Sequence, residues 1–290
     1  LVIPFPPGGV DITGRLLADK MGQLLGQPVV VDNRGGANGL IGSEIVKNAP
    51  PDGYTILLTT PSTHVTAVYL QKSIPYDPVK DFTAISLALE PVSLLVVHPG
   101  VPATNVRELV ELAKKSPGKL SYSSSGIGSV FHLTGEALKD AAGVDILHVP
   151  YKGTGPSLSD VVAGRIDMTF SALSSVRPFM QSGKVRVLAV AEPSRYPGLP
   201  DVPTIAESLP RFDKPSTWFG FFGPAGLPRP VLQRLNADIV RTVHSPDLKA
   251  KLDESGFALV GSSPEEFAAQ LRKGLEVYGR IVKLVGLKPE

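Results

Sequence analysis

Apolar residues recur along this chain in two alternating rhythms. Short continuous runs at 1–3, 28–32, 54–59 and 93–98 are rich in Val, Ile and Leu and are bounded by Pro, Gly or Asp, which predicts buried strands. Between them the spacing changes to three and four. Ile12, Leu16, Leu17, Met21, Leu24 and Leu25 predict a first helix, and Ile41, Ile45, Val46 and Ala49 a second. Pro50-Pro51-Asp52-Gly53 supplies the turn between that helix and the third strand.

The same logic then repeats. Thr104 caps a helix with Val106, Leu109, Val110 and Ala113 inward, and Pro117-Gly118 stops it. A strand at 120–123 leads through Ser124-Ser125-Gly126-Ile127-Gly128-Ser129 into a helix carrying Val130, Leu133, Ala137, Leu138 and Ala141. Strands follow at 146–149, 166–170 and 185–190, with a helix ending near Gly164 between the first two. An aromatic run at 218–222 precedes a mostly helical tail. Val231, Leu232, Leu235, Ile239 and Val243 mark one tail helix and 246–254 a short one. Ser263-Pro264-Glu265-Glu266 is a capping box opening the last.

Strands alternating with helices predict an α/β fold with mainly parallel sheets flanked by helices. Two such runs predict two lobes with a cleft between them, and the helical tail is long enough to return onto the first. Composition offers a boundary at Pro99-Gly100.

Charge and composition narrow the function classes. Lys and Arg number 29 against 27 Asp and Glu, a net +2 that does not favour nucleic acid or a membrane surface. Cysteine is absent, which excludes thiol nucleophiles, disulfides and thiolate metal sites. The longest apolar runs are far too short to span a bilayer. The chain opens inside its first predicted strand without Met, so it reads as a mature or trimmed form.

Candidate chemistry lies at the turns. Pro6-Pro7 ends the first strand and Gly8-Gly9 leads into a helix, so free N–H groups and the positive end of the helix dipole converge there. That suits an anion, although a tight strand-to-helix connection explains Gly-Gly equally well. Thr60-Pro61-Ser62-Thr63-His64 follows a parallel strand and should share the ligand-binding rim. His64 and His132 sit beside rim loops and are candidates to touch a ligand; His148, in an apolar strand, reads as a core residue. No histidine pair has metal spacing, and no acyl-transfer or phosphate motif is present, so no metal and no cofactor is expected. The rim set is made of neutral donors: the Gly8-Gly9 backbone, Ser62, Thr63, Ser125, Gly126, Ser129 and Tyr151, with Lys152 the one cation. Hydrogen bonds to a charged ligand contribute roughly 1.5–3 kcal/mol each, so three or four suit reversible anion binding better than catalysis. A serine hydrolase built on Ser125 or Ser129 with His132 is the enzymatic alternative, but no acid is placed to orient the base.

Specific strings go further. Pro4-Phe5-Pro6-Pro7-Gly8-Gly9 with Asp11 and Arg15, Asp32-Asn33-Arg34 with Gly35-Gly36-Ala37-Asn38-Gly39, and Ala49-Pro50-Pro51-Asp52-Gly53-Tyr54-Thr55 resemble the solute-binding proteins of tripartite tricarboxylate transporters, the Bug-type family. Tyr76-Asp77-Pro78-Val79-Lys80-Asp81-Phe82, Tyr122-Ser123-Ser124-Ser125-Gly126, Val149-Pro150-Tyr151-Lys152-Gly153 and Trp218-x-Gly220 continue the match in order, over essentially the whole chain. The resemblance implies a two-lobed periplasmic-binding-protein fold of type II-like form, with residues 1–98 and 222–290 in lobe 1 and 99–221 in lobe 2. It implies two crossing strands, at 94–97 and 219–222, and a ligand cleft at the interface. It implies a periplasmic location, a monomer, no enzymatic activity, and capture of a small carboxylate for membrane transporter subunits; a module reporting to a signalling receptor is the other role such a protein fills. The family's carboxylate contacts carry over to Pro7, Gly8, Gly9, Val10 and Asp11 on one side. On the other they fall on Ser125, Gly126 and Ser129 with Tyr151, Lys152 and Gly153. Phe5, Ser62, Thr63, His64, His132, Ser171 and Ala172 are the variable pocket candidates. One departure falls in the anion loop: only Val10 separates Gly9 from Asp11, where the family usually has two residues.

Overall fold

The computed structural model describes residues 1–7, 9–151 and 153–289. Gly8 and Lys152, both expected in the ligand loops, lie outside the described residues, as does Glu290.

The chain opens with β1 (Val2–Ile3), α1 (Gly9–Leu25), β2 (Asp32–Asn33), α2 (Leu40–Lys47), β3 (Leu57–Thr59), the short α3 (Ala67–Leu70) and the long β4 (Phe82–Pro91). It continues through β5 (Ser93–Val97), α4 (Val106–Lys115), β6 (Ser121–Ser124), α5 (Val130–Ala142), β7 (Leu147–Pro150), α6 (Thr154–Val162), β8 (Met168–Ala172), α7 (Leu173–Gln181), β9 (Arg186–Val190) and α8 (Ile205–Ser208). It returns through β10 (Phe219–Pro224), α9 (Arg229–Val243), α10 (Pro246–Glu254), β11 (Phe257–Leu259) and α11 (Pro264–Leu284).

These strands form two sheets, ordered β11-β4-β10-β3-β1-β2 and β7-β6-β8-β5-β9. The two orders are alike: three parallel strands with the earliest in the middle, then an antiparallel strand, then another. In each sheet the antiparallel strand, β10 or β5, is the first one the chain enters after crossing from the other lobe. The fold is the two-lobed α/β architecture, with the crossings displaced from the expected strands. Residues 94–97 pair wholly within the second sheet and 219–222 wholly within the first. The chain changes sheets at Val92, ahead of the expected boundary after 98, and again in the segment between β9 and β10. Val92 marks the first crossing physically: its N–H donates to the Gly256 carbonyl in the first lobe and its carbonyl accepts from Leu173 in the second.

Two helix faces differ from the expected ones by one position. Ile12 is 63% exposed, while Thr13, Leu17, Ala18 and Met21 are buried. Gly14 is the reason: a Cβ there would lie 2.5 Å from Ile3 Cδ1, so its bare backbone lets α1 press onto the sheet on that side. Gly42 does the same for α2 against Pro4, leaving Ile41 and Ile45 outward.

Three apolar clusters form the core. One fills the α1, α9 and α10 side of the first lobe and one the α6 and α7 side of the second. The third joins Phe82, Trp218, Phe222, Phe267 and Tyr278 to Tyr122, Leu133 and Phe170 of the second lobe. As its length suggested, the tail returns, with α11 lying on β4.

Candidate functional site between the lobes

In both sheets the parallel strands aim their carboxyl ends at the lobe interface, which is where open α/β sheets bind ligands. Thr59 ends β3 opposite Gly220, one residue into the strand after the second crossing, and Ala172 ends β8 opposite Ser93, just after the first. A cavity of about 290 Å³ lies there. Thr60, Pro61 and Ser62 wall it on the first-lobe side, Gly128, Ser129 and Val130 on the second, Trp218 and Phe219 from the crossing segment, and Tyr278 from α11. An adjoining space of about 470 Å³ extends along the first lobe past Phe5 and Asn38, sharing Ser62 and Thr66 with the first. Among the described residues, none that lines either space is charged.

The second-lobe wall is built by a loop held in place at several points. Ser124 Oγ accepts from the Gly126 N–H at 3.2 Å and bonds His148 Nε2 at 2.7 Å. Ser129 caps α5, accepting the His132 amide at 3.2 Å. His132 Nδ1 accepts the Gly128 N–H at 3.0 Å, so that ring nitrogen is unprotonated. The His132 and His148 rings stack with centroids 4.0 Å apart. Burial holds His132 below the usual histidine range. Burial and the neighbouring His132 push His148 down to about 4. Both are therefore neutral near pH 7, and the loop presents hydroxyls and amides without net charge.

Of the expected contacts, these adjoining spaces bring together Phe5, Ser62 and Ser129. Ser125, Gly126 and Gly153 lie on the same second-lobe loops; Gly153 precedes α6. Pro7 is exposed and Val10 half-buried at the start of α1, and Gly9 is already the first residue of that helix rather than part of a free turn. Asp11 is turned inward, its carboxylate 2.9 Å from Arg15 Nε. The hydrogen bond from Arg15 holds the Asp11 carboxyl below the usual range. It is a partner for that guanidinium rather than a contact for an anion. The Tyr151 hydroxyl is likewise committed, donating to Asp160 at 2.6 Å.

Two expectations are corrected outright. The segment after Thr60 is not a rim loop but a π-helical turn, Ser62–Thr66, running into α3. Its winding turns Thr63 and His64 into the core, both fully buried. His64 stacks on Phe222 at 4.3 Å and bonds Thr63 Oγ1 at 2.8 Å, and burial pushes it down to about 3. Ser171 is 1% exposed within β8, its hydroxyl without a partner among the described residues, and Ala172 is half-buried at the end of that strand; neither lines these two spaces. The His132 ring accepts from Gly128 rather than from a serine, and Ser129 Oγ is spent as a helix cap, so the two do not form a nucleophile–base pair.

Three wall residues escaped sequence reasoning. Ser216 Oγ and Trp218 Nε1 are buried without a hydrogen-bond partner among the described residues. Trp218 carried a signal in the aromatic run and the Trp218-x-Gly220 string, but neither marks it as a cavity wall. Tyr278 has none, being one apolar-face residue among many on α11.

The sequence profile described as the tripartite tricarboxylate transporter family receptor matches residues 13–287. The chain belongs to this family. Among its relatives is a Pseudomonas sp. (strain P51) protein encoded between tcbD and tcbE, 41% identical over 97% of this chain and 84% of that protein. BugT of Bordetella pertussis is 31% identical over 99% and 89%. Among solved structures, an R. palustris protein with adipate is 34% identical with a TM-score of 0.78, covering 100% of this chain and 97% of that one. MatC from Rhodopseudomonas palustris with bound malate is 32% identical with a TM-score of 0.72, covering 97% of each. The receptor family thus accounts for the two-lobed fold and for a site placed between the lobes.

Proposed function

We propose that this receptor-family protein captures a small carboxylate in the periplasm, as a monomer, and delivers it to the membrane subunits of a tripartite transporter. The observation that carries the reading is the cavity of about 290 Å³ between the lobes, walled by Ser62, Ser129, amides and aromatic carbon. Uncharged donors such as these bind a carboxylate through hydrogen bonds, which favours reversible capture. The carboxylate sits between Ser62 on the first lobe and Ser129 on the second, with Phe5 along the adjoining wall. Two structural relatives of similar chain length were solved with dicarboxylates, which supports this class of ligand.

Titration calorimetry against a panel of mono- and dicarboxylates, adipate and malate included, tests the proposal. One-to-one binding by at least one member is expected. At one hundred times its dissociation constant that ligand should stabilise the fold by about 2.7 kcal/mol. Ser62→Leu, which fills the cavity from the wall, should weaken binding at least tenfold while leaving the melting temperature within a few degrees. A folded protein that binds no carboxylate of the panel overturns the reading.

A further inference from the structure

The contact that decides how the two walls of the cavity meet is made by Tyr278. Its hydroxyl, on α11 of the first lobe, donates to the Gly128 carbonyl of the second at 2.9 Å. Both ends of that bond are held rigidly. The Tyr278 ring stacks on Tyr69 with centroids 5.9 Å apart, and the Tyr69 hydroxyl is tied back to the Leu275 carbonyl on the same helix at 2.7 Å. On the other side, the Gly128 N–H is pinned by His132 Nδ1. One peptide position of the second-lobe loop is therefore gripped by its own lobe through its N–H and by the opposite lobe through its carbonyl.

Gly128 also lies close against the first lobe. It has φ +75°, and a Cβ there would lie 2.9 Å from Leu70 Cδ1 of the first lobe. Only glycine takes that backbone conformation without strain and leaves room for the opposing leucine. Its neighbour Ser129 lies in the cavity wall, so whatever fixes Gly128 also fixes Ser129 relative to Ser62 across the cavity.

The geometry points to Tyr278 as the positioning residue that latches the lobes closed, holding the 125–129 loop against the first lobe through the Gly128 carbonyl. Its hydroxyl is committed to the Gly128 carbonyl across the interface, so it sets the balance between open and closed forms. This rests on the carboxylate-binding reading for its purpose but not for its test.

The cysteine-free chain permits a spin label on each lobe, at Glu44→Cys on α2 and Lys114→Cys on α4, both exposed in the wild type. Interlobe distances are then measured by pulsed dipolar spectroscopy without ligand. Losing one hydrogen bond of ordinary strength from the closed form should shift the open-to-closed ratio of Tyr278→Phe roughly fivefold toward open. Tyr69→Phe, which deletes a hydroxyl bonded within one lobe, should leave the distances unchanged. Gly128→Ala, which wedges Leu70, should open the lobes with Tyr278 intact, and so serves if Tyr278→Phe does not fold. The latch is overturned if the distance distributions of folded Tyr278→Phe or Gly128→Ala superimpose on the wild type, or if Tyr69→Phe opens the lobes equally. For whichever panel carboxylate binds the wild type, Tyr278→Phe should release it about fivefold faster. If none binds, the functional reading fails while the ligand-free distances still decide the latch.

Discussion

At the scale of single residues, His64 shows how a polar side chain becomes part of a core. It lies against Phe82 and Phe222 with ring centroids 4.5 and 4.3 Å away, and no solvent reaches it. Charging it there is costly, so burial pushes its ionisation down to about 3. The unfolded chain takes up a proton near the ordinary histidine value and the folded chain does not. Stability from this group is therefore intact above about pH 6.5 and drains away as pH falls from there toward about 3. His64→Phe should remove that slope. Its melting temperature should fall less than the wild type's between pH 7 and 4.5, a difference on the order of 2 kcal/mol at the lower pH. Equal losses in the two proteins would show that His64 is protonated in the folded state. The same residue marks what the sequence could reveal about the site. The Ser/Gly turn before α5 and Phe5 were legible from punctuation and from motif. His64 and Thr63 are expected on the rim because a strand end predicts where a loop begins, not which way the next turn winds; Asp11 is expected there from the family resemblance. A π-helical turn rotates every later side chain relative to a loop, and the Asp11–Arg15 pair, legible in their four-residue spacing, occupies the carboxylate that the resemblance places at the ligand.

At the scale of elements, the crossings carry the energetics that join the lobes. Glu192, just past β9, reaches back to the first crossing and accepts the Ser93 N–H at 2.9 Å. Its other oxygen lies 3.0 Å from Lys214 Nζ in the second crossing, with both side chains at most 9% exposed. Glu90 lines a space beside them, its carboxyl pushed up to about 7 by burial. Removing one partner of a buried pair strands the other charge. Lys214→Met should therefore cost roughly 3 kcal/mol in chemical denaturation. The Lys214→Met/Glu192→Leu double variant should recover part of that loss. A single-variant loss below about 0.5 kcal/mol would mean that water reaches the pair. The elements themselves were largely legible. Helices α4, α5, α10 and α11 follow their periodicity, although α4 is capped by Asn105, one residue after the expected Thr104; the faces of α1 and α2 do not follow theirs, because a glycine reads as a gap in an apolar stripe when it is the point of closest approach. Strand β4 was hidden for another reason. It lies between β10 and β11 with a mostly buried centre, so it lacks alternation, and only Val92 separates it from β5. The eye sees one apolar run where the chain makes two strands and changes lobe.

At the scale of the molecule, the question is whether two lobes mean two folding units. Domains that meet across a modest polar interface generally unfold apart. Here the first lobe is built from both ends of the chain. Its sheet needs β10, β11 and α11, which arrive only after the second lobe has been traversed. The lobes also share the apolar cluster that runs from Phe222 and Trp218 to Tyr122 and Phe170. Polar contacts add to it: Arg177 on α7 donates to the Asp253 carbonyl on α10 at 3.4 Å, and Tyr196 donates to the same carbonyl at 3.2 Å. Melting the second lobe would expose the far half of that cluster and release both crossings that anchor β4 and β10, so the first lobe should not survive it. Scanning calorimetry should therefore show one transition whose calorimetric and van't Hoff enthalpies agree. Two resolved peaks, or a calorimetric enthalpy near twice the van't Hoff value, would instead mean that the shared cluster is too weak to couple the lobes. Because the Tyr278–Gly128 bond spans the same interface, its loss in Tyr278→Phe should lower that single transition slightly without splitting it. Closure would then be adjustable without endangering the fold, as a clamp that opens and shuts repeatedly around its cargo requires.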